Sequence, residues 1–315
     1  MSEITPQQIS KVIDILTELR DIQDLIDKNQ YRSRAYTTVI NALREGKSIE
    51  ESGAKKKMMK KINEIIETGR CSELDEYKSK YAPILSNLRF LLSIPTIGMK
   101  KAKEIISDHM EGIARRNYTI KIDDLLSRKD LTNRQKRIIK NFGKLVTSIS
   151  RESVEKVVKH LYKYVFAKYD ITHVIVGSYR REREFIHDID IMLYTDEPDF
   201  DTFRNVINDI KRMGKFVESV NSGQRNFTFL FEFMKGKIVS IDIKYYHSDE
   251  LIPALIYFTG SKLFNIKLRM HAKSMGYKLN QYGLYDKEMK KIQLKDEKEL
   301  FRILNLPFTS PKERE

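Results

Sequence analysis

The run ISKVIDILTELRDIQDLI, residues 9–26, repeats apolar positions at three- and four-residue intervals, the period of a helix with one buried stripe. Lysine-rich segments of the same character follow to about residue 80, and Gly69 closes one of them where a helix C-cap is expected. Residues 83 to about 145 also read as helical, with SIPTIGMKKAKEI as a turn between two helices. Near residue 171 the period shortens to two. HVIVG, IDIMLY, RNFTFLFEF and KIVSIDIKYY predict strands, and DTFRNVINDIKRMG among them predicts an amphipathic helix. From about residue 248 the pattern is mixed and ends in the charged SPKERE. The fold class this predicts is α+β and multidomain, helical first and sheet-containing afterwards.

Within HDIDIML, side chains alternate between faces of a strand. Asp188, Asp190 and Met192 share one face, and Ile189, Ile191 and Leu193 share the other. KIVSIDIKYY repeats the device: Asp242 lies with Ser240 and Lys244, opposite Val239, Ile241 and Ile243. If the two strands are neighbours, three carboxylates converge. Their repulsion raises a pKa unless a cation neutralises them, and an oxygen-rich cluster suits Mg²⁺ or Mn²⁺. Upstream lies VGSYRR. Gly177 follows an apolar strand, Ser178 is placed to cap a following helix, and Arg181 adds a forked cation suited to phosphate. Metal beside a phosphate-binding turn implies phosphoryl chemistry. A lone Asp-x-Asp is more often a solvated strand edge; Gly-Ser, Asp-x-Asp and a later Asp-x-Lys strand, in that order, are a different matter.

A further helix is predicted in KKKMMKKINEIIETG. Met58, Met59, Ile62, Ile65 and Ile66 make its apolar face, and Lys61 lies roughly 100° from the centre of that face. Lys57 and Lys60 crowd one edge; neighbouring cations lower a lysine's pKa and free its amine to attack an aldehyde. The competing reading is a solvated lysine run.

Charge narrows the classes of partner. The 315 residues carry a formal net charge of +14, which points to a polyanion, nucleic acid first. Hydrophobic residues make up 41%, enough for packed domains. Cys71 is the single cysteine, so an intramolecular disulfide and a thiol-rich metal site are both excluded. No apolar run approaches the roughly 20 residues of a membrane span. MSEITPQQ lacks a signal-peptide pattern, so an intracellular location at DNA is expected: nucleus, or virion and cytoplasm if the source is viral, as the Lys/Ile bias of an AT-rich genome suggests.

GSYRREREFIHDIDIML, with Gly-Ser followed about ten residues on by Asp-x-Asp, resembles the nucleotidyltransferase signature as family X DNA polymerases carry it. LIYFTGSKLFNIKLRMHAKSMGYKLNQYGLY resembles that family's nucleotide-binding segment, and LNLPFTSPKERE its C-terminal end. The resemblance implies an all-helical lyase domain (1–80), a helical thumb with a helix-hairpin-helix (83–145), a nucleotidyltransferase palm (146–247) and a fingers subdomain that binds the nascent base pair (248–315). It implies that Asp188, Asp190 and Asp242 hold two Mg²⁺ ions, with Mn²⁺ able to substitute. Asp242 also helps deprotonate the primer 3′-hydroxyl. Ser178, Arg181, Arg151 and the backbone near His187 hold the triphosphate. Tyr257, Phe258 and Gly260 line the sugar pocket and disfavour a 2′-hydroxyl. Asn265 and Arg269 face the minor-groove side of the nascent pair and the template.

IPTIGMKKAKEI resembles a helix-hairpin-helix, with Gly98 in its turn and the carbonyls of Leu92, Ile94 and Ile97 as candidates for Na⁺ or K⁺. The earlier counterpart, ESGAKKKMMKKI, keeps Gly53 but has Lys55 in place of a second glycine, and reads as degraded. Counted back from Gly69, Lys61 matches the family's Schiff-base lysine for removal of 5′-deoxyribose phosphate. Lys57, Arg32 and Tyr36 match that pocket, and Tyr31 is placed to stack on a template base. The sequence departs from the family at Lys262, Ser240, Lys244, Gln281, Glu182 and His187, which bears on fidelity and nucleotide affinity. The implied function is template-directed gap filling in base excision repair, without proofreading. Its partners are gapped or nicked duplex DNA, dNTP and a DNA ligase; a monomer with no membrane association is expected, and with no N-terminal interaction domain it reads as a minimal enzyme. Two alternatives stand: a template-independent nucleotidyltransferase, and a catalytically inactive scaffold on DNA ends.

Overall fold

The computed structural model describes residues 4–26, 30–116, 118–197 and 199–314. The chain divides into two compact units. One comprises residues 1–128 with 266–270, the other residues 129–265 with 271–315.

The first unit is helical, in the order α1 (Pro6–Ile26), α2 (Gln30–Arg44), α3 (Lys56–Thr68), α4 (Ser72–Lys80), α5 (Ala82–Ser93), α6 (Met99–Asp108), α7 (Met110–Arg116) and α8 (Ile122–Ser127). The apolar stripe read from the sequence is the core: Val12, Ile13, Leu16 and Leu19 of α1 are buried, as are Val39, Ile40 and Leu43 of α2 and Ile62 and Ile65 of α3. Gly69 ends α3 in the left-handed region (φ 69°) and donates its N–H to the Ile65 carbonyl at 2.8 Å, the C-cap that the sequence predicts.

Two turns lead into helices in the same way. Before α6, Thr96 has φ 75° and Gly98 is extended (φ −83°, ψ 174°). Before α3, Gly53 has φ 79° and Lys55 is extended (φ −82°, ψ 167°). The left-handed position is Thr96 in one turn and Gly53 in the other. The extended position needs no glycine, since a Cβ at Gly98 would meet nothing within 4 Å. The first turn is therefore not degraded by Lys55, as the sequence suggested; its backbone path matches that of the second.

The second unit runs α9 (Asn133–Asn141), β1 (Ile149–Ser150), α10 (Arg151–Tyr164), β2 (Thr172–Ile175), α11 (Gly177–Arg180), β3 (Phe185–Ile186), β4 (Ile189–Thr195), α12 (Phe200–Arg212), β5 (Phe216–Ser222), β6 (Asn226–Met234) and β7 (Lys237–His247). It continues with α13 (Leu251–Thr259), α14 (Lys262–Ser274), β8 (Lys278–Asn280), β9 (Gly283–Tyr285), β10 (Lys291–Ile292) and α15 (Glu297–Ile303). The main sheet has the order β2-β4-β7-β6-β5. β4 and β7 are parallel, and the other pairings are antiparallel. The alternation assigned from sequence holds. Ile189, Ile191, Leu193, Ile241 and Ile243 pack into one core with Val154 and Leu161 of α10 and Phe203, Val206 and Ile210 of α12. On the opposite face Met192 and Tyr246 pack with Val176 and with Ala254 and Phe258 of α13. The two- and three-residue β1, β3, β8, β9 and β10 were not predicted because they are too short to show a period, and the seven-residue β5 (FVESVNS) because its apolar positions do not alternate.

A buried charge network ties α11 to α15. Arg180 reaches Glu297 at 2.7 Å and the Thr259 hydroxyl at 2.8 Å, and Arg314, fully buried, reaches the other Glu297 oxygen at 2.8 Å. Burial pushes the Glu297 carboxyl up, but the two arginines outweigh it and hold the group below its ordinary value. Glu297→Gln leaves two arginines facing a neutral amide and is expected to cost about 3–5 kcal/mol near neutral pH, read from urea unfolding. A depressed carboxyl stabilises above its unfolded value and loses that contribution as pH falls through its folded one, so the gap between wild type and variant is expected to close in acid.

Candidate active site

The β4–β7 pairing sets Asp190 opposite Asp242 in parallel register, and Asp188 precedes β4 by one residue. Burial first, then Asp242, raises the Asp188 carboxyl. Burial first, then Asp188 and Asp242, raises Asp190 to about 7, against the partial relief of Lys244 and Arg181. Asp242 has partners of its own: Lys244 Nζ lies 2.9 Å from Oδ2, and the Thr228 hydroxyl donates to Oδ1 at 2.9 Å. Thr228 was invisible to sequence reasoning, because it reaches Asp242 only through the β6–β7 register.

Among the described residues, no three His, Cys, Asp or Glu side chains stand together so as to hold a metal ion. Uncompensated carboxylates repel, and Lys244 holds one of them. The donor set nevertheless suits a hard divalent cation: oxygen ligands only, with carboxyls forced up by burial first and by their like-charged neighbours second.

The turn before β4 is shaped around the same carboxylates. Gly177 has φ 60°, and a Cβ there would lie 2.0 Å from Asp190 Oδ2; only glycine fits. α11 begins at Gly177 with Val176 as its N-cap. Ser178 therefore lies inside the helix and does not cap it, contrary to expectation. Arg181 donates to the Thr259 carbonyl and sits against Gly260 (Nη1 to a Cβ position, 3.2 Å), while its buried Nε has no hydrogen-bond partner among the described residues. This brings the Gly177 turn and the Thr259–Gly260 turn, far apart in sequence, into contact. Arg151 stacks 4.0 Å over the Tyr179 ring and donates to the Tyr179 carbonyl at 2.7 Å, which fixes it to the same turn. His187 Nδ1 donates to the Thr147 carbonyl at 2.5 Å. Tyr257 and Phe258 meet edge to face at 4.9 Å, and the Asn265 amide donates to the Tyr257 carbonyl at 2.8 Å. Arg269 lies on α14 in the stretch that groups with the first unit.

The first unit carries a separate pocket of ≈ 570 Å³ whose lining includes Arg32, Tyr36, Lys57 and Lys61, four of the residues singled out from sequence. Tyr31, 86% exposed, lies outside its lining. Lys61 Nζ is 2.8 Å from Glu73 Oε2 and 5.6 Å from the centre of the Tyr36 ring. The expected depression of its pKa by Lys57 and Lys60 is corrected here. Burial does push Lys61 down, but the hydrogen bonds with Glu73 and Tyr36 outweigh it and hold the ammonium above its ordinary value. Glu73, on α4, carried no signal in the sequence. In the other turn, the Ile94 carbonyl accepts from Ile97 N–H at 3.1 Å, Ile94 and Ile97 are buried, and Leu92 is exposed.

The arrangement in the second unit is that of a nucleotidyltransferase: a Gly-Ser turn, paired strand carboxylates and a basic side chain against the turn. Comparison with known proteins agrees. Residues 254–315 match the family model for the DNA polymerase beta thumb, a name the sequence reading gave to residues 83–145. The repair DNA polymerase X of African swine fever virus (isolate Tick/Malawi/Lil 20-1/1983) is 30% identical over 142 residues, 45% of this chain and 80% of the relative. The DNA polymerase/3′-5′ exonuclease PolX of Bacillus subtilis is 25% identical over 337 residues, 96% of this chain and 54% of the relative. The crystal structure of Leishmania infantum polymerase beta in a ternary P/T complex superposes with a TM-score of 0.63 at 24% identity, covering 74% of this chain and 99% of that one, a likeness of fold. The chain belongs to the family X DNA polymerases.

Two outcomes follow from the carboxylate site. Gly177→Ala is expected to destabilise by about 1–3 kcal/mol, through the left-handed backbone alone, and to abolish any thermal shift on adding Mg²⁺ by displacing Asp190. In the wild type, Asp190 holds a proton in the folded state that the unfolded chain has already released above pH 3.8. Its contribution to stability therefore falls as pH rises towards about 7. A divalent cation replaces that proton, so the gain in melting temperature with Mg²⁺ should be larger at about pH 8 than at about pH 5.5; equal gains would count against a metal at these carboxylates.

Proposed function

We propose that the chain is a template-directed DNA polymerase that fills short gaps in base excision repair, joining a dNTP to a primer 3′-hydroxyl. The observation that carries this reading is the parallel register of Asp190 with Asp242 beside the Gly177 turn. The relatives named repair DNA polymerase X support it. Asp188, Asp190 and Asp242 would hold two Mg²⁺ ions, which when bound supply charge to the reacting oxygens. The protein's own groups do the rest. Arg181, Arg151, Ser178 and the backbone at His187 bind the triphosphate. Gly260 with Tyr257 and Phe258 forms the wall against the sugar. Asn265 and Arg269 read the nascent pair and template. A monovalent cation would rest on the carbonyls of Leu92, Ile94 and Ile97, where the α5–α6 turn grips a DNA phosphate.

The first unit is assigned a second reaction, release of 5′-deoxyribose phosphate through a Schiff base on Lys61. The clustering of Arg32, Tyr36, Lys57 and Lys61 in one pocket supports it. The substrate is gapped or nicked duplex DNA; the enzyme acts as an intracellular monomer and hands its product to a DNA ligase.

A one-nucleotide-gapped duplex bearing a 5′-deoxyribose phosphate, with Mg²⁺ and each dNTP in turn, tests both reactions. Insertion of only the complementary dNTP is expected. Asp242→Ala should slow insertion by roughly 10²–10⁴-fold, the scale of losing a proton-transfer group, and leave sugar release intact. Lys61→Ala should do the reverse. Insertion that ignores the template would favour the template-independent alternative, and no metal-dependent insertion would favour the inactive scaffold.

A further inference from the structure

The pocket of the first unit holds a carboxylate that the proposed lyase reaction leaves unassigned. The two oxygens of Glu73 are divided between two partners. Oε2 lies 2.8 Å from Lys61 Nζ, and Oε1 accepts from Gln23 Nε2 at 2.5 Å. Gln23 is 1% exposed, and its own Oε1 is buried with no hydrogen-bond partner among the described residues. An amide buried with an unmet acceptor is unfavourable for folding, so Gln23 is poorly explained as filler. What it does is hold Glu73 against Lys61 from the α1 side.

A lysine attacks a carbonyl only as the free amine, yet Lys61 rests as an ammonium. It must lose a proton to a group already bonded to it. Tyr36 is the other neighbour, and burial pushes its hydroxyl above the ordinary value, so near neutral pH it stays a neutral phenol, whose oxygen accepts the ammonium's hydrogen bond but is too weak a base to take its proton. Arg32, Lys56 and Lys57 on the pocket wall accept no proton; they suit the phosphate of the sugar.

We propose that Glu73 is the general base and acid of Schiff-base formation at Lys61, an assignment that rests on the lyase reading above. Glu73 Oε2 takes one proton from the ammonium. The freed nitrogen pair forms the N–C bond at C1′ of the open-chain sugar aldehyde, and the carbonyl oxygen takes up a proton released by the nitrogen to give the carbinolamine. Glu73 then returns its proton to the hydroxyl, the C–O bond breaks, water departs and the protonated imine remains. Glu73 ends as the carboxylate it was at the start, and no oxidant or further reactant is needed.

The test uses the full chain, nicked duplex carrying a 5′-deoxyribose phosphate, and borohydride to trap the imine in single turnover. Glu73→Gln keeps the size and hydrogen-bonding reach of the side chain without its basicity. Its trapping rate is expected to fall by roughly 10²-fold, the lower end for a proton-transfer group, with an unchanged melting temperature. Glu73→Asp should recover part of the rate, and added formate should accelerate Glu73→Ala but not the wild type. Trapping of Glu73→Gln at the wild-type rate overturns the proposal and leaves Glu73 a strut between α3 and α4, and so does a Glu73→Ala rate that formate does not move. If the wild type yields no adduct and Lys61→Ala releases the sugar as fast as wild type, the lyase reading itself fails and takes the proposal with it.

Discussion

The second unit is organised around a repulsion. Three aspartates are brought to one end of a parallel strand pair, where burial and proximity make their charges mutually unfavourable. Everything nearby limits that conflict without removing it. Lys244 and Thr228 engage Asp242, Gly177 yields the space that Asp190 occupies, and the apolar residues between the aspartates anchor the strands in the core beneath. A fold that tolerates such a cluster spends stability to keep a site ready for positive charge.

The two units answer the same electrostatic problem in opposite senses. In the second, carboxylates gather and want cations. In the first, Arg32, Lys55, Lys56, Lys57 and Lys61 border one pocket, and Glu73 is the single carboxylate on its wall among the described residues. Both suit a strongly basic chain that meets a polyanion: one site gathers negative charge, the other positive.

Much of this was legible in the sequence. The alternation in HDIDIML and KIVSIDIKYY correctly assigned each aspartate and isoleucine to its face, because a strand's period is fixed by the backbone. The apolar stripe of α1 and the Gly69 cap were equally plain. What escaped depended on long-range register. Thr228 meets Asp242 only once β6 is set beside β7, and Gln23 meets Glu73 across 50 positions of chain. The ionisation of Lys61 was misjudged for the same reason. Its neighbours in sequence are cations, but its neighbours in space are Glu73 and Tyr36.

The turn at Lys55 has a wider consequence. Because its backbone is extended there and not left-handed, a glycine is optional, and the position is free to carry any side chain without altering the path of the chain. In this protein it carries an ammonium that borders the pocket. The position that a glycine, Gly98, fills in the other turn thus becomes a dial: single substitutions at one codon can raise or lower the local field in the pocket while the turn beneath stays as it is. Such turns are better recognised by their dihedral angles than by their glycines.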